Sequence, residues 1–422
     1  MTRRLLSALG LTALALQAGF CAAKKDAAPK PVDEVPEYKF DGSEAVGQFA
    51  DNATFVHPKG WYRADDLCIY NLCVYSNREV ANGRGFVLVS TIQGFEKVKG
   101  LGNIGLSDTS DFPKQPLWEE KETAEKGLTY MAKDTVKRGT KVFSIPPVIG
   151  VHMSFFNSTG EYSLAETGQE RILQGAVKLL PPETQARFWK YAQAAGLKKV
   201  RDVVWKRPLE ANFGLTWQGQ ESGYVDEKHL MVYPEALAIT HHCRPNTAFH
   251  IDSQHSFRAA VARKLAPGEE ITVSYFPVVD TRANRQIRAE KWFGKPCTCP
   301  ACTGDLNEIT KSDARIEEIV VIEKKLNDQD STGVSAGLLA RLLSLYQEER
   351  LEVAFSYMYG LLAHNYNQLG YERRTVKYGN LAVQSGILEY GPEHNDVIAW
   401  NILTKDPTGH YSWRQRVKKK AA

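Results

Sequence analysis

The spacing of apolar positions changes character several times along this chain. From Leu5 to about Phe20 it is almost unbroken, with Arg3 and Arg4 before it and Lys24 and Lys25 after it. A membrane-spanning helix needs about 20 such residues. The basic start, apolar middle and small-residue end instead read as a secretory signal peptide over 1–23, cut after Cys21 or Ala23. Residues 24–36, dense in proline and charge, read as a linker. Short strand-like runs follow at Leu67–Tyr70, Leu72–Tyr75 and Gly85–Ser90, the last after the turn pair Asn82-Gly83. They predict a small β-rich domain over 37–110.

A second unit, 118–280, begins and ends with β-type patterning: 128–132 and 141–147 at its start, 259–265 and 271–276 at its end. Between them the period lengthens to that of a helix. Leu173, Val177 and Leu180 share one face and Pro181-Pro182 breaks the run, which predicts a helical insertion over 163–196. From 310 to 422 helical spacing prevails, with Ile316, Ile319 and Val320, then Leu338, Leu339, Leu342, Leu343 and Leu345, and a further helix pair over 351–368 and 371–388. Ala363, Gly370, Tyr371 and Ala382 hint at a tetratricopeptide repeat, but no repeat of the required period is present, so a plain helical bundle is expected. The fold class is α+β.

Composition narrows the function. With 43% hydrophobic and 24% charged residues in 422, the chain is globular and long enough for several cores. A net charge of +4 is too small to argue for nucleic acid or an anionic membrane as partner, and none is expected once the leader is removed. The basic end, Arg414, Arg416 and Lys418 to Lys420, reads as a solvated tail. Asn52 and Asn157 head glycosylation sequons, which suit a secreted chain.

Cysteine placement is more telling. Cys68 and Cys73 lie close together early on and suit a disulfide in a secreted protein. Cys297, Cys299 and Cys302 fall within six residues, 297–302, as C-x-C-x-x-C, where the proline and the short spacing disfavour mutual disulfides and favour zinc. A closed zinc site needs a fourth ligand; Cys243 is the other cysteine in this half, and His241 and His242 lie beside it.

Four motifs then stand in order. Glu125-Lys126-Gly127-Leu128-Thr129-Tyr130-Met131-Ala132 continues into Asp134–Gly139. Thr240-His241-His242-Cys243-Arg244-Pro245-Asn246 is the second, Gly268-Glu269-Glu270-Ile271-Thr272-Val273-Ser274-Tyr275 the third and the C-x-C-x-x-C the fourth. This series resembles the SET-domain protein-lysine methyltransferases over about 120–304, closest to the SMYD branch but without its MYND insertion. The resemblance implies a β-rich SET domain with a helical insertion, a post-SET zinc loop over 286–304, and zinc held by Cys243, Cys297, Cys299 and Cys302. It implies S-adenosylmethionine at Lys126, Gly127, Leu128, Thr240, His241 and Asn246. It places Tyr275 at the methyl-transfer point and Phe293, or its neighbour Trp292, along the lysine channel, with a lysine-bearing protein as substrate. The helical C-terminal region is expected to offer a surface to a further protein.

Some positions depart from the family pattern. Glu125 and Thr129 replace glycines that let backbone approach the cofactor. Thr240 replaces an asparagine amide and His242 a serine. A second reading from another class follows from these changes: a secreted, non-catalytic SET module whose cofactor site has degenerated.

Overall fold

The computed structural model describes residues 60–99, 104–123, 126–156, 164–206, 209–212 and 228–417. The leader, the linker, both sequons and Glu125 fall outside the described residues.

The largest sheet joins the early strands to the middle of the chain. Its order is β1 (Trp61–Ile69), β2 (Leu72–Asn77), β3 (Phe86–Thr91), β7 (Ile149–His152), β9 (Lys228–Val232) and β8 (Leu209–Asn212). β1, β2 and β3 form an antiparallel meander, whereas β3 runs parallel to β7. Phe86, Val87, Leu88 and Val89 are all buried without alternation, because β3 is covered on both faces. Helices α2 (Ile92–Lys99) and α3 (Glu166–Leu179) pack against it. Each such apolar side chain taken from water contributes roughly 1.5–3 kcal/mol. The region expected as a separate β-rich unit over 37–110 is therefore, from Trp61 on, part of the same sheet and core as the residues beyond 118: Val74 and Phe86 belong to one buried cluster with Ile145 and Val273.

Within the one-turn segment α1 (Val80–Gly83), which precedes β3, the chain reverses through Ala81 and Asn82 with positive φ. A glycine is required next to this turn, since Gly85 has φ +80° and a Cβ there would lie 2.4 Å from Pro181 Cδ.

Three smaller sheets carry the motifs. β4 (Trp118–Thr123) and β5 (Gly127–Ala132) form a hairpin, and β11 (Thr247–Ile251), β12 (Phe257–Val261) and β6 (Lys141–Ile145) form an antiparallel trio. The two-residue strands β10 (Thr240–His241) and β13 (Thr272–Val273) run parallel, which sets the second and third motifs side by side.

The helical insertion comprises α3, α4 (Pro182–Ala194) and α5 (Val200–Lys206). α3 buries Ile172, Leu173, Ala176 and Val177 on one face. Pro181-Pro182 divides it from α4, with Pro182 at the first helical position, where a missing N–H costs nothing.

Beyond β13, α6 (Arg282–Phe293) and the single turn α7 (Pro300–Thr303) lead into α8 (Leu306–Asn327), α9 (Ala336–Glu348), α10 (Phe355–Gln368), α11 (Glu372–Glu389) and α12 (Asn395–Lys405). Asp305 caps α8 by accepting from the amides of Asn307 and Glu308 at 2.9 and 3.2 Å. Ile316, Ile319, Leu339, Leu342, Leu345 and Leu362 form a core of their own.

Arg416 departs from the solvated tail expected around it, whereas Arg414 is exposed and Lys418 to Lys420 lie outside the described residues. Arg416 is 6% exposed. It donates to Gln368 Oε1 and to the carbonyls of Ser331, Leu326 and Asp328 at 2.5–3.1 Å. A guanidinium carries five donors, and here they close loop ends of the helical region. Charge density alone gave no sign of that use.

Candidate functional site

The third motif explains its own residues. Gly268 takes φ +77°, and its amide donates to Ala132 O at 2.7 Å. Glu269 then turns back, accepting from the Ala266 amide at 3.1 Å and from Arg263. Glu270 pairs with Lys126 at 2.6 Å, tying the first motif to the third.

Asn246 binds these segments from inside. Its Nδ2 donates to Glu270 O at 2.7 Å, and its Oδ1 accepts from the Thr272 amide at 2.9 Å and from Thr247 Oγ1 at 3.0 Å. At 2% exposed with its amide engaged on both atoms, it pins the framework and presents no head group to a cofactor.

Tyr275 lies at the centre. Its hydroxyl donates to Ile239 O at 2.5 Å and lies 3.4 Å from Ala236 O. Three oxygens, none of them charged, thus meet at one point. The carbonyls come from the short 3₁₀ segment Pro234–Ala238 and the residue after it. Glu235 anchors that segment: burial works against its charge, but Arg84 at 2.6 Å and Arg187 at 3.0 Å hold its carboxyl below the usual range. Tyr130 adds a hydroxyl bond to Glu235 O at 3.1 Å.

Phe293, at the end of α6, stands edge-on to Tyr275 with ring centroids 6.0 Å apart. Phe276 and His241 complete an aromatic group, His241 lying 4.2 Å from Phe276 and 5.4 Å from Phe293. Trp292, left open by the sequence, packs near the same cluster, but Phe293 is the side chain set against Tyr275.

His241 has a fixed tautomer. The Tyr275 amide can only donate, so Nδ1, 3.1 Å away, must accept, and the proton sits on Nε2. That proton faces Cys243 Sγ at 3.4 Å. The ring therefore backs a sulfur, as outer partners of metal thiolates do.

Cys243, Cys297, Cys299 and Cys302 place their sulfurs within 4.8 Å of one another, none more than 9% exposed. Thiolates about 2.3 Å from a tetrahedral zinc would sit about 3.8 Å apart. Cys243 lies 3.8 Å from Cys297 and 3.5 Å from Cys302, so the set fits. Hydrogen bonds from the neighbouring thiols hold Cys302 low and draw Cys299 down to about 7, while Cys243 is pushed up. Four adjacent thiolates repel without a cation, and a dication removes that conflict. His242 accepts the Arg244 amide at 2.9 Å and is no ligand in this arrangement.

At the first motif, Gly127 has φ +69°, and a Cβ would stand 2.7 Å from Ala194 O at the end of α4. Packing against the insertion demands this glycine. Thr129, in a family glycine position, is fully buried and donates to Lys121 O at 3.3 Å. Leu128 and Thr240 are half-buried, and Lys126 is exposed. A separate cavity of about 240 Å³, bordered by Lys141, His250, Arg258 and Leu388, shares no lining residue with this site.

Motif reading missed Ala236, Ile239 and Glu235. Two act through backbone carbonyls, which leave no mark in residue type, and the third through a partner far away in sequence.

Residues 127–276 match the model of the SET domain family. Over 80 residues the chain is 31% identical to a SET and MYND domain-containing protein of Dictyostelium discoideum, covering 19% of this chain and 23% of that protein. Over 99 residues it is 26% identical to N-lysine methyltransferase SMYD2-B of Danio rerio, covering 24% of this chain and 23% of the relative. The chain thus spans about a quarter of the length of these relatives.

Proposed function

We propose that this SET-domain protein is a protein-lysine N-methyltransferase that draws its methyl group from S-adenosylmethionine. The observation that carries the proposal is the meeting of Tyr275 Oη with the carbonyls of Ile239 and Ala236 beside Phe293. When bound, the sulfonium supplies an electrophilic methyl, and neutral oxygens and aromatic faces suit its charge better than basic groups would. Of the six residues expected at the cofactor, Lys126, Gly127, Leu128 and Thr240 would hold it, while the His241 ring and the Asn246 amide are engaged by internal bonds.

The chain's own part is orientation and desolvation. The bond from the Tyr275 hydroxyl to Ile239 O fixes where that oxygen stands relative to an incoming amine. Phe293, Phe276 and the His241 ring make the approach apolar, which disfavours the ammonium form and favours the free amine that can attack. Holding nucleophile and methyl in line supplies most of such a rate. The four cysteines would hold zinc, which fixes the 297–302 loop against Cys243 and keeps the end of α6, with Phe293, facing Tyr275.

Calorimetric titration of the folded chain with S-adenosylmethionine tests this reading. Saturable binding at one site per chain, weakened by S-adenosylhomocysteine competition, is expected. No heat and no thermal shift at millimolar cofactor would overturn it and leave the non-catalytic module.

We also place the chain in the secretory pathway. The leader supports this, as does the Cys68–Cys73 pair across the β1–β2 turn. Among the described residues no helix is long and apolar enough to cross a membrane. N-terminal sequencing of native protein checks it: an intact Met1 or Thr2 would contradict cleavage.

A further inference from the structure

Arg244 follows a zinc-site cysteine, yet the chemistry proposed above gives it no role. Its Nη1 donates to Cys243 O at 2.9 Å and to Val278 O at 3.0 Å. One guanidinium thereby bridges the second motif to the segment just past Tyr275. Its Nη2 donates to Glu349 Oε2 at 2.6 Å.

Glu349 directly follows α9, and its side chain is only 3% exposed. It also accepts from Ser312 Oγ and Arg315 Nε of α8, both at 2.6 Å. Its carboxylate is thus shared between a guanidinium of the catalytic segment and one of the helical region. Buried pairs of this kind contribute little net stability against an apolar replacement, whereas they fix geometry and register. Arg138 makes a second link, from the turn before β6 to Ser385 of α11 at 2.8 Å, but it reaches no site residue.

We infer that Glu349 is a positioning residue: through Arg244, the C-terminal helices set where segments 240–246 and 273–278 stand, and with them His241, Cys243 and Tyr275. Its catalytic consequence rests on the methyltransferase reading; its mechanical part does not.

Glu349→Gln in the full chain is the test, since it keeps the shape and removes the charge; Glu349→Ala would strand two guanidiniums and endanger folding. Hydrogen exchange reads the mechanical part. Amides of 240–246 and 273–278 are expected to exchange about tenfold faster, with α10 to α12 unchanged. Unchanged exchange in those two segments, or loosening confined to α8 and α9, would overturn the inference. Steady-state kinetics reads the catalytic part. Misplacement by a fraction of an ångström is expected to lower kcat about 10- to 100-fold with KM for a peptide held within about twofold, and Glu349→Asp to recover part of the loss. A rise in KM alone would count against positioning. Should the wild type transfer no methyl, the methyltransferase reading fails, and Glu349 is then judged on exchange alone.

Discussion

Tyr275 was legible at once, as the last residue of a near-complete GEE motif. What the sequence hid was its company. The carbonyls of Ala236 and Ile239 could have come from any residue types, so no pattern marks them. Asn246 shows the opposite case. Its identity was plain, but a buried amide can face a ligand or a framework, and here four internal bonds take it. Two substitutions follow. Tyr275→Phe removes one hydroxyl and keeps the ring, so folding and zinc content should stand while kcat falls about 10²- to 10³-fold, checked by kinetics beside elemental analysis. Thr240→Asn restores an amide with two donors and should tighten cofactor binding by about 0.5–1.5 kcal/mol, read by calorimetry.

At the scale of elements, apolar spacing located most helices because each packs one stripe. α3 buries Leu173 and Val177, and α9 buries Leu339, Leu342 and Leu345, while Leu338 and Leu343 of the same apolar run stay half-buried. Pro181-Pro182 marked the break between α3 and α4, whereas the cap at Asp305 went unread: helical spacing was placed from 310, and α8 begins at Leu306. Buried carboxyls carried no such signal. Glu389, the last residue of α11, accepts from the Ser356 amide at 3.1 Å near the start of α10. Burial raises it to about 8 despite those bonds, and burial likewise raises Glu323 to about 7. Both folded values exceed the unfolded one, so the folded chain binds more protons. The stability they contribute is full below about pH 4.5 and is lost as pH rises through 7 and 8. Thermal melts should therefore show Tm falling between pH 6 and pH 9, and Glu389→Gln should flatten part of that slope. An unchanged slope in the variant would contradict the burial of a neutral carboxyl.

For the whole molecule, the order of strands was the least legible feature. The meander Trp61–Thr91 reads locally as a unit, and nothing in it announces that β3 will take β7 as a parallel neighbour. Parallel pairing joins residues far apart in sequence, so it is decided by the core and not by local pattern. The cysteine cluster is likewise a long-range product, uniting Cys243 with a loop that begins at Cys297. One zinc per chain is expected, and chelation should lower Tm and speed proteolysis around 297–302, because structural zinc contributes folding free energy directly. The central claim is methyl transfer itself. It is tested by incubating the folded, zinc-replete chain with methyl-labelled S-adenosylmethionine and secretory-pathway proteins, then hydrolysing the products for amino-acid analysis. Label in N-methyl-lysine, lost in Tyr275→Phe, is the expected result; label in no lysine, with the cofactor demonstrably bound, would contradict it.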